Sequence, residues 1–390
     1  MYLRNIKKIL KEIDLFHPVF IVVFGHLAII LLALPYLNKI GIYNFLKILL
    51  VVGIFLISFS LPFFVDIKLI NININKNIIK NLSLLSFLVL SGYGSFAITH
   101  SILFTLIYLM IIILIVKLFV KYQNSKFFNN LVFLGGILSF ILIVLKYKGI
   151  PLLNYNIRMA INSEPLRLIS TGLLIYSGIE NIFYFAVGFI LLTLLGYKAG
   201  ILMLTVSYII YKYKNKINLK HLILIFLGLF LILNIVGFIV ILNSNQHWKI
   251  GFLNLLCYRA YFDLTVFNKI LDISSLFGLG YNIILTPNGE RYIGQILFGY
   301  NHNITTLMFG SVFLDFGIFS FLFAIFLGYV SKYIYNGDKK LYAIYASILL
   351  TYCEVGINYG FLIVLLFLIY LNSLEVDFDG KVYNKNSERL

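Results

Sequence analysis

The nine residues Lys212-Tyr213-Lys214-Asn215-Lys216-Ile217-Asn218-Leu219-Lys220 carry four lysines and no acid, between the apolar runs 199–211 and 219–242. Lysine and arginine collect in short cytoplasmic loops of membrane proteins. The segment therefore reads as cytoplasmic, and the parity of every flanking helix follows from it. Apolar runs lie at 18–37, 44–65, 82–98, 101–120, 127–145, 168–179, 182–195, 199–211, 219–242, 304–330, 341–356 and 359–372. The N-terminus with Arg4, Lys7, Lys8 and Lys11 should also be cytoplasmic, as should the loop with Lys68, Lys76 and Lys80 and the loop with Lys121 and Lys126. All these agree with 212–220 only if three short helices fit between 168 and 211. Gly178-Ile179-Glu180-Asn181 is then an inner turn and Gly196-Tyr197-Lys198-Ala199-Gly200 an outer one.

The 390-residue chain is 61% hydrophobic and 12% charged, with a mean hydropathy of +0.97. A soluble domain is roughly 45–50% apolar and about 25% charged, so the excess must be stored in a bilayer. The apolar runs are too continuous for barrel strands. The fold class is therefore an all-α polytopic membrane protein of about twelve transmembrane helices. It forms one integral membrane domain over 1–390, with both termini cytoplasmic and no separate soluble domain. The first helix is expected to be retained, because no small-residue cleavage site follows the basic N-terminus. The net charge of +16 fits short basic loops and membrane lipids and gives no reason to invoke nucleic acid. Cys257 and Cys353 form neither a metal motif nor a disulfide framework.

Basic residues on the outer side run against the positive-inside tendency and need another purpose. An outer basic loop, 146–167, holds Lys146, Lys148, Arg158 and Arg167 against one acid, Glu164. Gly149 and Pro151 should end the preceding helix, and Pro165 should start the next. Lys198 lies in the small outer turn. A large extracytoplasmic loop, 243–302, holds Lys249, Arg259, Lys269 and Arg291, with His247, Trp248, Asp263 and Glu290. Such a surface suits an anionic substrate, and arginine's fixed fork matches phosphate or carboxylate oxygens. The bland readings are headgroup pairing for Lys146 and Lys148, and an i,i+4 ion pair for Arg259 and Asp263 in a helical stretch over 257–263. Phe277-Gly278-Leu279-Gly280-Tyr281 precedes no βαβ pattern, so its GxG is a turn and not a dinucleotide site. His302, in Gly299-Tyr300-Asn301-His302-Asn303, stands at the mouth of the helix expected from 304. It either caps that helix or transfers protons near neutral pH. Asp315, about a dozen residues further, falls near mid-membrane, where an acid is functional by default or bonded to a neighbouring helix. Glu180 and Glu354 share that ambiguity near helix ends, and no metal-ligand cluster or Asp-x-Asp motif is present.

Together these residues resemble polysaccharide polymerases of the Wzy type, the O-antigen or oligosaccharide repeat-unit polymerases. The resemblance rests on Lys148-Gly149-Ile150-Pro151-Leu152-Leu153 followed by Arg158, and on Leu195-Gly196-Tyr197-Lys198, with lysine where the family carries arginine. Its third element is the large outer loop ending His302-Asn303 before Leu314-Asp315-Phe316-Gly317. The resemblance implies a fold similar to GT-C glycosyltransferases and a polyprenyl-diphosphate-linked oligosaccharide as substrate. It also implies metal-independent glycan transfer without a cofactor, at the outer face of the cytoplasmic membrane, and a chain-length regulator among the partners. On this reading His302, Arg158 and Arg291 are catalytic. Arg167, Lys198, Arg259 and Asp315 assist substrate binding or support the site. An O-antigen-ligase-like transferase shares nearly all of these signals. A lipid-linked oligosaccharide flippase or transporter would instead favour internal repeats and charges inside the bundle, whereas here the charges gather in unequal outer loops.

Overall fold

The structure, a computed structural model, describes residues 14–65, 76–123, 125–214, 219–244 and 251–386. Arg4, Lys7, Lys8, Lys11, Lys68, Lys216 and the stretch Gln246-His247-Trp248-Lys249 lie outside them. Every apolar run named above carries a helix among the described residues. The helices are α1 Pro18–Ala33, α2 Ile42–Phe64, α3 Lys76–Thr99, α4 Ile102–Tyr122, α5 Lys126–Tyr147, α6 Tyr155–Ala160, α7 Pro165–Gly178 and α8 Ile182–Leu194. They continue with α9 Lys198–Tyr213, α10 Leu219–Leu242, α11 Leu255–Ile273, α12 Gly289–Phe298, α13 Gly310–Phe316, α14 Ser320–Tyr335, α15 Lys339–Val355 and α16 Tyr359–Asn386. Seven helical stretches among the described residues are long and apolar enough to cross a membrane. The three short helices that charge parity requires are α7, α8 and α9.

Local chemistry sets the boundaries. Lys148 ends α5 in the left-handed conformation, with Gly149 following. Pro165 opens α7 at its first position, where a missing amide hydrogen costs nothing. Asn181 caps α8 by accepting from the Phe183 amide at 2.8 Å.

Two large apolar cores share the bundle, with a third small cluster of Val266, Ile270, Ile283, Ile293, Ile304 and Leu314. The larger joins α1, α2, α11, α14, α15 and α16 through residues such as Phe55, Phe267, Leu327, Tyr345 and Phe361. The smaller joins α5, α7, α8 and α10 through Ile143, Leu174, Leu192 and Val236. Helix α9 belongs to both: Ile201 and Leu204 enter the smaller core, Ile209 and Ile210 the larger. Charged side chains collect at the two ends of the bundle. At one end Lys214 lies 3.5 Å from Asp14, Lys340 3.0 Å from Glu180, and Lys332 donates to the Pro62 carbonyl at 2.8 Å. The opposite end gathers Arg158, Arg167, Lys198, Arg259 and Arg291.

The apolar run 304–330 departs from the expected single helix. Residues 304–309 are buried but not helical, and α13 begins only at Gly310. Their backbone pairs with the end of α15: Thr306 N donates to Val355 O at 3.3 Å, Met308 N to Cys353 O at 3.1 Å, and Ile357 N to Met308 O at 2.9 Å. Irregular backbone survives inside a membrane protein only where other protein satisfies it, and this pairing does so. The run breaks a second time at Gly317, whose φ is +53°. A Cβ there would lie 2.2 Å from the Leu276 carbonyl oxygen, so only glycine admits the loop before α12 this closely.

Candidate functional site

The short helix α6 exists to present Arg158. Asn154 caps it through the Ile157 amide at 3.2 Å. Arg158 Nε donates to the Gly196 carbonyl at 3.0 Å, and Nη1 donates to Asn162 Oδ1. Arg167 Nη2 donates to the Asn162 carbonyl at 3.0 Å. Its guanidinium lies 4.4 Å from the centre of the Tyr197 ring, a favourable cation–π geometry. Arg167 Nε is buried with no hydrogen-bond partner among the described residues. Burial and the neighbouring Arg167 draw the Arg158 pKa down to about 10, which still leaves it charged at neutral pH. Lys198, the first residue of α9, is coupled to Glu354, Arg259, Arg158 and Asp263. Burial is the largest influence, and the net effect lowers its pKa.

Across the groove α11 presents Arg259. Its Nε lies 3.2 Å from Glu354 Oε1 and 3.7 Å from Asp263 Oδ1, and Nη2 donates to Thr305 Oγ1 at 2.7 Å. Thr305 passes its own hydroxyl hydrogen to Asp263 Oδ1. Asp263 is fully buried, and its Oδ2 has no partner among the described residues. Burial pushes its carboxyl above the usual range, against the pull of Arg259. Glu290 in α12 accepts from Asn358 Nδ2, and Asn358 Oδ1 in turn takes the Phe361 amide at 2.9 Å. Burial raises the Glu290 pKa, while Asn358 and then Arg167 and Arg291 draw it down. Glu290 thus links the two sides. These residues form one charged cluster around Lys198, which feels Glu354, Arg259, Arg158 and Asp263. One wall, from α6, α7 and α9, offers cationic donors. The other, from α11, α12 and α15, offers cations interleaved with carboxylates.

A family described as "Putative O-antigen polymerase" matches residues 14–370. The chain belongs to that family. It is also 55% identical over 373 residues to "Uncharacterized protein MJ0420" of Methanocaldococcus jannaschii, covering 96% of each chain. No solved structure matches the chain. Membership in the O-antigen polymerase family makes this a multi-pass membrane protein of polysaccharide biosynthesis. Its class is glycosyltransferase-like polymerases, which take lipid-linked oligosaccharide as substrate.

Of the residues singled out in the sequence, the structure of this family member brings Arg158, Arg167, Lys198 and Arg259 to one groove. Arg291 stands at its edge, donating from Nε to Asn303 Oδ1 at 3.1 Å. His302 is exposed, its ring edge-on to Tyr300 at 5.9 Å. Tyr300 continues into an aromatic strip with Phe298 at 5.6 Å, and Phe298 into Phe262 at 5.8 Å. His302 caps no helix, because α13 starts at Gly310. Asp315 is outside the groove. Its Oδ2 accepts from the Ile284 amide at 3.0 Å, while Leu279 N donates to Leu314 O at 2.8 Å and Ile318 N to Leu276 O at 2.9 Å. Asp315 therefore fastens the loop before α12 to the break at Gly317, and the two motifs around Gly278 and Asp315 are one structural joint. The reading from sequence left Glu354, Glu290, Thr305, Asn162 and Asn358 without a role in the site. Position was the one signal for three of them: Asn162, Glu290 and Thr305 fall in or beside the segments where the bases had already gathered.

Proposed function

We propose that this protein polymerises lipid-linked oligosaccharide repeat units at the outer face of the cytoplasmic membrane. The donor in this reading is a polyprenyl-diphosphate-linked glycan, transferred without a metal to the end sugar of a second carrier. The proposal includes a twelve-span, GT-C-like single domain with both termini cytoplasmic. Segments 146–167 and 243–302 are its substrate-facing outer regions.

One observation carries the reading. Arg158 and Arg167 face the groove bonded only to neutral acceptors, at 3.0 Å to Gly196 O and 3.0 Å to Asn162 O. Half-buried cations without carboxylate partners suit a ligand that brings its own negative charge, as a diphosphate does. In the proposed step the acceptor hydroxyl oxygen attacks the anomeric carbon of the donor sugar. The bond from that carbon to the diphosphate oxygen breaks, and the electron pair leaves with the diphosphate. Arg158, Arg167 and Lys198 stabilise the growing charge, with Arg259 and Arg291 beside them. His302 takes the acceptor proton, and Asp315 supports the loop that carries Arg291.

The test is polymer length in a deletion strain complemented with His302→Ala. Loss of long polymer with single repeat units still transferred is expected. Full-length polymer would remove His302 from the proton step. Glycan stranded on its carrier lipid in the deletion strain itself would mark a ligase instead.

A further inference from the structure

Glu354 belongs to none of the motifs that carry the family resemblance, yet it joins Arg259 and lies near Lys198. It is next to last in α15, and its side chain is 46% exposed. Its Oε1 lies 3.2 Å from Arg259 Nε. Among the described residues its Oε2 has no hydrogen-bond partner.

Arg259 does not need Glu354 as a counter-ion. Asp263, one turn along α11 and fully buried, lies 3.7 Å from the same nitrogen. Thr305 occupies Nη2 and is itself bonded to Asp263. The guanidinium therefore has a carboxylate behind it, on the protein side. Glu354 adds a second one in front, on the open side, with Lys198 near it. An ionised carboxylate can only accept hydrogen bonds. Held by a cation through one oxygen and open at the other, it is a receptor for a hydroxyl group. One aromatic ring lies close by: the Arg259 guanidinium is 5.9 Å from the Phe262 ring. A half-exposed carboxylate with one free oxygen, near arginines that have no carboxylate partner, is a surface for neutral sugar beside a surface for phosphate.

We propose that Glu354 accepts hydroxyl hydrogen bonds from the acceptor sugar and sets which hydroxyl meets the donor's anomeric carbon, with Arg259 fixing the carboxylate from behind. The inference rests on the polymerase reading and deepens it; the proton still leaves to His302.

The experiment uses the full chain in lipid nanodiscs and two soluble probes. One is the oligosaccharide freed by mild acid from the lipid-linked pool of a strain lacking this gene. The other is inorganic diphosphate. Hydrogen bonds to charged groups are worth factors of about ten to a hundred in binding. Glu354→Gln should weaken oligosaccharide binding about tenfold or more and leave diphosphate affinity within about twofold. Glu354→Asp should recover part of the loss, and melting temperatures of all three proteins should agree. Unchanged oligosaccharide affinity in Glu354→Gln overturns the proposal, as does an equal loss for both probes, since Glu354 is then only a partner of Arg259. Wild-type protein that elongates the lipid-linked pool while Glu354→Gln keeps its oligosaccharide affinity sinks this inference alone. Wild-type protein that neither binds the oligosaccharide nor elongates the pool sinks the polymerase reading as well.

Discussion

Arg158 and Arg259 face one groove, and their partners differ in kind. Arg158 gives its hydrogen bonds to a backbone carbonyl and an amide oxygen. Arg259 lies between two carboxylates, 3.2 Å from Glu354 and 3.7 Å from Asp263. A half-buried charge without a counter-ion loses part of its hydration uncompensated. The Arg158 wall bears that cost and keeps its positive potential for a ligand. The Arg259 wall is neutralised internally, and its exposed groups are suited to hydroxyls. The difference teaches that a cluster of bases is not one anion site by default: the neighbouring acids decide which bases remain free to bind.

The largest expected effect comes from emptying the unpaired wall. Arg158→Ala should lower elongation of the lipid-linked pool by about 10²–10³, the range for losing one donor to developing charge. Arg158→Lys should recover little, because lysine lacks the planar fork that reaches two acceptors. If Arg158→Lys and Arg259→Lys behave alike in that assay, the contrast between the walls is wrong. A smaller effect is expected from the paired wall. Asp263→Asn removes the buried charge behind Arg259 and should cost about 1–3 kcal/mol of stability, read as a lower melting temperature in detergent. Activity per folded molecule should fall less than in Arg158→Ala.

The smallest effect concerns Glu164, at the foot of the Arg158 wall. Hydrogen bonds from Lys146 and Tyr147 hold its carboxyl below the usual range, against the opposing effect of burial. The folded pKa is depressed, so the stabilisation is complete above the unfolded value of about 4.3 and fades as pH falls through the folded value. Lys146 is 55% exposed, so solvent screens the pair and its contribution is small. Wild type and Glu164→Gln should therefore differ slightly in melting temperature at pH 6 and converge by about pH 3. A difference that persists at pH 3 would mean that packing, and not charge, sets the position of Glu164.

Much of this architecture was legible in the sequence. The lysines of 212–220 required three short helices before them, and α7, α8 and α9 are there. Arg158, Arg167, Lys198 and Arg259 were found as outer bases because composition near a membrane reports sidedness. The residues 304–309 were misread as helix, since apolar composition reports burial and not backbone conformation. Their hydrogen-bond partners, Cys353 and Val355, lie too far along the chain for any local pattern to reveal. For the same reason Asp315 read as an intramembrane acid, although its carboxylate meets the backbone of Ile284. Glu354 was visible as an acid near a helix end. What makes it distinctive is Asp263 behind Arg259, and that arrangement exists only after α11 packs beside the end of α15.

The pairing of 306–308 with 353–357 has a consequence for how the chain is made. During synthesis residues 304–309 leave the ribosome before Cys353 and Val355 exist. Their amides then have no protein acceptors, and lipid supplies none. This stretch must wait at the translocon or in water until α15 has been inserted, and it settles last. The segment with His302 and the joint that holds α12 are anchored to the same stretch. The two sides of the site are therefore completed at different times: a chain stalled before Cys353 already has Arg158 on Gly196 and Asn162 but lacks Glu354 beside Arg259.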